Sequence, residues 1–212
     1  MVRVIPFPDK KYSVLYADPP WTYKDKAESG KRGVAFKYEL MTIDEIQALP
    51  VHEIVDEDCV LFLWVTWPLL EEGLETMRAW GFKYKTVGFV WIKLLKRMDK
   101  LFATTLKTLQ KITEGTLAAR VLKAMLETMV FWGMGNWTRS NSEVCLIGIK
   151  GKPKRVDAGV HSVVLAPICE HSRKPDEVRA RIERLMGDVP RIELFARTRI
   201  PGWDSWGNEV QT

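Results

Sequence analysis

Asp18, Pro19, Pro20 and Trp21 follow directly on an apolar run, Val14-Leu15-Tyr16-Ala17. A proline restricts the residue before it to extended backbone, so Asp18 and Pro19 are both held extended. The prolines bring carbonyls and no N–H groups. The stretch is a rigid ledge of hydrogen-bond acceptors, the Asp18 carboxylate and the Pro19 carbonyl, with an exposed-looking indole beside it. An exocyclic amino group on a planar base suits that ledge, because it has two N–H donors and a lone pair delocalised into the ring. Accepting both N–H bonds pulls the nitrogen toward tetrahedral geometry and frees the lone pair to attack an electrophilic methyl group. Trp21 would stack on the ring and fix its plane. The bland alternative is a rigid turn with a packed tryptophan. What separates the two is position, since a ligand site in an open α/β sheet lies beyond the carboxyl ends of strands.

The elements around the ledge are read from apolar spacing and breakers. "KYSVLYA" is a short buried strand that ends at Asp18, and the polar stretch 22–38, with Gly30 and Gly33, is a long mobile loop. Thr42 and Glu45 form a capping box for a short helix. "CVLFLWV" at 59–65 is a strand buried on both faces, and "PLLEEGLETMRAWG" is a helix closed by Gly81. "YKTVGFVWIK", "SEVCLIGIKG", "HSVVLAP" and "RIELFAR" are further strands. "KPDEVRARIERLMG" is a helix with Pro175 near its first turn and Gly187 at its close. Strands alternating with helices predict an α/β fold, a mostly parallel sheet with helices on both faces.

Residues 94–130 break this rhythm. Apolar residues at three- and four-residue steps restart after Gly115, which predicts two amphipathic helices joined at a glycine. The segment carries seven Lys and Arg against three acids, most of the formal net charge of +5 of the whole chain. It is read as a helical hairpin inserted in a single domain of 212 residues. Three uses are open: a pad covering apolar core, an arm gripping nucleic acid, or a dimerisation arm.

Composition narrows the classes. A modest positive excess suits a polyanionic partner. Cys59, Cys145 and Cys169 form no CxxC pair, and an odd count argues against a disulfide framework and for a reducing compartment. His52, His161 and His171 are too scattered for a zinc site, so no metal is expected. The first residues, "MVRVIPFPDKK", hold no long apolar run, and no stretch reaches the roughly 20 apolar residues of a membrane span.

Seven motifs in order carry a resemblance: "ADPPW" at 17–21, "LFLWVT" at 61–66, "VWIK" at 90–93, "GMGNWTRSNSEVCLIGIKG" at 133–151, "HSRKPDEV" at 171–178, "RIELFAR" at 191–197 and "PGWDSWGNE" at 201–209. Through them the chain resembles the adenine-N6 methyltransferases of the messenger-RNA adenosine-methylating type and their bacterial and phage relatives, over nearly all of 12–210 apart from 94–130. The resemblance implies a circularly permuted, Rossmann-like class I fold that uses S-adenosylmethionine, with the catalytic motif early and much of the cofactor site late. That order accounts for the missing GxGxxG fingerprint. It implies catalytic roles for Asp18, Pro19, Pro20 and Trp21. It implies that Lys174 holds the cofactor carboxylate and that Arg197, Asn208 and Glu209 surround its ribose, with Ala17 and Asp18 also at the cofactor. Tyr23, Tyr38, Arg139 and Glu143 are implied at the substrate base. Read without the motifs, Lys174 is an exposed lysine, Arg197 a strand-end ion pair, Asn208 a turn residue, and Glu143 an edge carboxylate paired with Arg139 or Lys150.

The expected reaction is methyl transfer to N6 of adenine. The short chain and its lack of zinc fingers favour the compact bacterial and phage members, which methylate DNA in the host cytoplasm; a homodimer or a related partner subunit is left open. RNA is the alternative substrate. Two rivals are a protein-glutamine methyltransferase, whose turn is NPPY rather than DPPW, and a non-catalytic nucleic-acid-binding partner, which would have lost the acid that stands here at Asp18.

Overall fold

A computed structural model describes residues 5–22, 41–135, 137–169 and 173–210. Tyr23, Tyr38 and almost all of the expected loop 22–38 lie outside the described residues. In chain order the elements are β1 (Tyr12–Ala17), α1 (Ile43–Gln47), β2 (Val55–Val65), α2 (Leu70–Ala79), β3 (Lys83–Leu94), α3 (Met98–Leu109), α4 (Gly115–Met129), β4 (Ser142–Lys150), β5 (Val163–Pro167), α5 (Glu177–Met186), β6 (Arg191–Leu194) and β7 (Asp204–Trp206).

The strands hydrogen-bond in the order β5-β3-β4-β2-β1-β6-β7. β1 runs parallel to β2 and β6, β6 to β7, and β3 to β5. β4 is antiparallel to β2, so the α/β sheet, mostly parallel in its pairings as expected, is a mixed one. The first strand of the chain thus lies between the second and the sixth.

The chain divides into two compact units, Met1–Gly88 with Val144–Val160 and Ile182–Thr212, and Phe89–Glu143 with His161–Arg181. In the first unit, β1 and the 59–65 part of β2 are buried along their length. Continuous apolar sequence is what a strand covered on both faces needs. The Thr42–Glu45 capping box forms as expected, with the Thr42 backbone N–H donating to Glu45 Oε2 at 2.8 Å and the Glu45 N–H to Thr42 Oγ1 at 3.2 Å. Trp80 closes α2 and donates its indole N–H to the Ile46 carbonyl at 2.9 Å, which fastens α2 to α1.

Two strand expectations change. "RIELFAR" is a strand only to Leu194, because Phe195 adopts a left-handed backbone (φ 61°) that ends the ladder. The stretch 204–206, quoted only as part of a motif, is an edge strand.

In the second unit, α3 and α4 pack on each other as the expected hairpin, although Gly115 opens α4 and is not the joint itself. Met125 and Met129 are buried, while Phe102, Leu106, Leu117, Leu122 and Leu126 stay exposed. Lys96, Arg97, Lys100, Lys107, Lys111, Arg120 and Lys123 are exposed as well. The described part of the hairpin therefore presents basic and apolar groups together. Among the described residues no helix is long and apolar enough to cross a membrane.

Candidate active site

β1 delivers its last residue, Ala17, into register with Leu63 of β2 and Leu194 of β6. Asp18 is the next residue, at the carboxyl end of β1. From β1 the chain proceeds to β2 on one side, whereas β6 lies on the other and leads to β7. That reversal of direction is where an open α/β sheet forms its ligand crevice. The placement supports the functional reading of the ledge over that of an arbitrary turn.

The turn itself is tightly built. The Trp21 backbone N–H donates to the Pro19 carbonyl at 2.8 Å, closing a three-residue turn over Pro20. A carbonyl oxygen has two lone pairs, so Pro19 keeps accepting capacity beyond this bond. Trp21 departs from expectation. It is only 8% exposed, and its indole N–H donates to the Trp64 carbonyl at 3.0 Å. The Trp64 indole in turn donates to the Tyr16 hydroxyl at 2.7 Å, and Tyr16 packs edge-on against Trp203. Trp21 looked exposed because it follows two prolines; its indole N–H finds a buried acceptor in the β2 backbone, so the ring goes inward. Beyond the turn, Trp21 bridges to Met41, and the Thr22 hydroxyl donates to the Met41 carbonyl at 2.6 Å. Asp18 is half-buried and Pro19 buried.

On the neighbouring strand, Phe195 turns the chain at the end of β6. Left-handed backbone costs a bulky residue about 1–3 kcal/mol, so the surroundings must hold it there. They do so with the Phe195 ring, stacked near Trp80 (centroids 6.5 Å apart) and edge-on to Trp206 (5.5 Å), and with the Ala196 N–H, which donates to the Trp206 carbonyl at 3.0 Å. Gly207 packs on this turn so closely that a Cβ there would lie 2.4 Å from the Ala196 carbonyl oxygen. The outcome is that Arg197 meets Glu209 at 3.8 Å, with Asn208 beside them on an exposed turn. Both partners are partly exposed, and such a pair contributes little to stability. Its consequence is to bring a guanidinium and a carboxylate together, next in sequence to the Asn208 amide.

The second unit holds a buried charge cluster. Glu143 meets Lys93 at 2.5 Å and Lys174 at 3.2 Å, and all three side chains are less than one-fifth exposed. Burial alone would raise the Glu143 pKa, but the two ammonium groups outweigh it and hold the carboxyl below its ordinary range. The plain alternative, an edge carboxylate paired with Arg139 or Lys150, gives way to pairs with Lys93 and Lys174. Lys174, just before α5, is buried at 9%, so the plain reading of it as an exposed surface lysine is set aside. The next residues of that segment are tied by ion pairs from Arg173 and from Arg179 (2.8 Å) to Asp176, whose carboxyl the Arg173 hydrogen bond holds below the usual range.

The residues expected at a site thus fall into three groups: Ala17 to Trp21 at the end of β1, Arg197 with Asn208 and Glu209 after β6 and β7, and Glu143 with Lys174 in the second unit. Arg139 is exposed on the connection before β4. Two participants were not singled out from sequence. Lys93 ends the quoted "VWIK" motif, and a lysine closing an apolar strand was the available signal. Phe195 left no signal, because an aromatic side chain does not announce left-handed backbone.

Comparison with known proteins agrees with the geometry. The MT-A70 family profile matches residues 12–128 and 120–209. The matched ranges run through most of 94–130, where the motif resemblance had lapsed. The chain is 32% identical to the type II methyltransferase M.MunI of Mycoplasma sp, over 96% of this chain and 79% of that protein. It is 30% identical to the N(6)-adenosine-methyltransferase catalytic subunit METTL3 of Homo sapiens, over 94% of this chain and 28% of that protein. An N(6)-adenosine-methyltransferase MT-A70-like protein of Arabidopsis thaliana is 32% identical over 94% of this chain and 24% of its own length. The chain spans about a quarter of these eukaryotic relatives and most of the Mycoplasma one. With an acceptor ledge at the sheet's reversal point and matches along nearly its whole length, the chain belongs to the MT-A70 family of S-adenosylmethionine-dependent methyltransferases.

Proposed function

We propose that this protein methylates the N6 amino group of adenine in DNA. The observation that carries the reading is Asp18 at the carboxyl end of β1, on a turn fixed by the Trp21 N–H bond to Pro19 and by the buried Trp21 indole. The Asp18 carboxylate and the remaining lone pair of the Pro19 carbonyl accept the two N–H bonds of the amine, orient it and stabilise the positive charge it develops. When bound, S-adenosylmethionine supplies a methyl group on a sulfonium, already a strong electrophile. Alignment by the chain's own residues is then the main catalytic demand. The methylated ammonium is acidic, so no strong base is needed.

The residues present fit that cofactor. Lys174 offers a buried ammonium suited to a carboxylate. Gly207 lets the backbone close down beside Arg197, Asn208 and Glu209, whose donors and acceptors suit ribose hydroxyls. Lys174→Ala is expected to weaken S-adenosylmethionine binding by about 1.5–3 kcal/mol, the range for a hydrogen bond to a charged group. Calorimetric titration measures this directly, and an unchanged affinity would remove Lys174 from the cofactor site.

The similarity to a bacterial type II methyltransferase that the chain covers over 79% of its length supports DNA as the substrate. The 30–32% identity to N(6)-adenosine-methyltransferases is the observation favouring RNA as the second reading. We assign nucleic-acid contact to the inserted hairpin 94–130, on the exposed Lys100, Lys107 and Lys111 of its helices and the loop after α3. Replacing these three with alanine is expected to flatten the salt dependence of duplex binding by about 0.9 in the log–log slope for each phosphate no longer neutralised. S-adenosylmethionine affinity should stay the same. A slope that does not move would take the hairpin out of the nucleic-acid interface. The reading as a whole is tested by nucleoside analysis of DNA from cells expressing the protein against cells carrying an empty vector.

A further inference from the structure

The corner that follows β2 leaves one indole open at the end of the sheet where the ledge stands. β1 and β2 run parallel, with Ala17 in register with Leu63. One step past that pair come Asp18 and Trp64, and the two chains are tied there by the Trp21 indole N–H, which donates to the Trp64 carbonyl at 3.0 Å. Trp67 follows three residues later, and three extended residues span at most about 11 Å. Its side chain is 46% exposed. Tryptophan is highly buried on average, so an indole left half open at the ligand end of a sheet marks a place for a partner.

The corner is rigid. Trp67-Pro68-Leu69 forms a single 3-10 turn after Thr66. The Leu69 N–H donates to the Thr66 carbonyl at 2.9 Å, and the Leu70 N–H donates to the Trp67 carbonyl. Pro68 fixes its own φ. Leu69, 5% exposed, anchors the turn in the core, while Trp67 and Pro68 are exposed. α2 starts from this corner and lies so close to the end of β2 that a Cβ on Gly73 would fall 2.6 Å from Val65 Cγ2. The indole is thus carried on backbone fixed from both sides.

We infer that Trp67 is the stacking platform for the ring of the target adenine. The inference rests on the adenine-methylating reading above. Hydrogen bonds at Asp18 and Pro19 grip the amino group at one edge of the base and leave the plane of the ring free to tilt. Methyl transfer needs that plane fixed, because the lone pair of a conjugated amine stands perpendicular to it and must line up with the methyl group. Trp21, whose place after the prolines suggested this role, is 8% exposed with its N–H turned to the β2 backbone, and has little face to offer. Trp67 is the exposed indole at the neighbouring strand end, in the same compact unit as Asp18 and Trp21. An aromatic ring stacks on the face of any base without reading its edge, which leaves the amino edge to Asp18.

The adenines that the wild-type protein methylates are first mapped in unmethylated DNA and in RNA, and oligonucleotides are built around one of them. Trp67→Ala should lower kcat/KM on that oligonucleotide about tenfold or more, the scale of one lost base stack. Trp67→Phe keeps an aromatic face and should stay within about threefold of wild type. Melting temperatures check the fold of both variants, and their S-adenosylmethionine affinity should be unchanged. The direct readout is 2-aminopurine, a fluorescent adenine analogue that stacking on an indole quenches. At the target position its emission should be about twofold or more brighter in complex with Trp67→Ala than with wild type. At either neighbouring position the two proteins should give the same emission. Unchanged kcat/KM for Trp67→Ala, equal emission at the target position, or a difference confined to a neighbouring position overturns the platform while leaving the methyltransferase reading intact. A wild-type protein that methylates no adenine in either nucleic acid overturns the adenine reading, and the platform with it.

Discussion

Asp18→Ala is expected to abolish methyl transfer, by about a hundredfold at least, while the protein still folds and still binds S-adenosylmethionine. The size follows from losing a preorganised group aimed at charge that develops in the transition state. Asp18 is half-buried at the end of β1, and the turn after it is held by Trp21 through the Pro19 and Trp64 carbonyls, neither of which involves the Asp18 side chain. The melting temperature of the variant checks that the fold is kept. Asp18→Asn should fail as well, because the amide replaces one acceptor with a donor and removes the negative charge. Turnover of either variant within tenfold of wild type, by transfer of labelled methyl groups, would contradict the acceptor role.

The largest effect on stability is expected at Glu143. Glu143→Gln keeps the shape and removes the charge, leaving the Lys93 and Lys174 ammonium groups adjacent in a mostly buried place. Breaking a buried ion pair from one side costs about 3–5 kcal/mol. Denaturant unfolding at neutral pH should show a loss in that range. The pH dependence gives a second readout. The Glu143 pKa is lowered in the folded state relative to its ordinary value of 4.5. A depressed carboxyl contributes stability that is fully present above the unfolded pKa and lost as pH falls through the folded one. Wild type and Glu143→Gln should therefore differ by a constant amount above pH 4.5 and converge below it. A difference that does not change with pH in that window would mean that the carboxylate charge is not what the lysines need.

The acceptor ledge was legible because its information is local. Two prolines after an acid dictate backbone geometry wherever they occur, and the apolar run before them marks a strand end. The capping box at Thr42 and Glu45 was legible for the same reason. The less legible features depend on residues far apart in sequence. Trp21 turns inward because Trp64, on β2, offers a carbonyl, and no pattern near residue 21 encodes that. Glu143 pairs with Lys93 and Lys174 because β3, β4 and the segment before α5 converge, whereas sequence proximity suggested Arg139 and Lys150. β6 stops at Leu194 because Phe195 turns left-handed, held by aromatic rings from α2 and β7. At Lys174 spacing alone suggested a surface lysine, whereas the structure buries its ammonium against Glu143.

We propose that the Asp18 ledge serves the amino group of adenine in DNA. It is tested most directly by incubating the purified protein with methyl-labelled S-adenosylmethionine and, separately, unmethylated DNA, RNA and total protein, then digesting each and identifying the labelled product. Label is expected in DNA as N6-methyldeoxyadenosine, and none is expected when Asp18→Ala replaces wild type. Label confined to RNA adenosine, to cytosine or to protein side chains would contradict it.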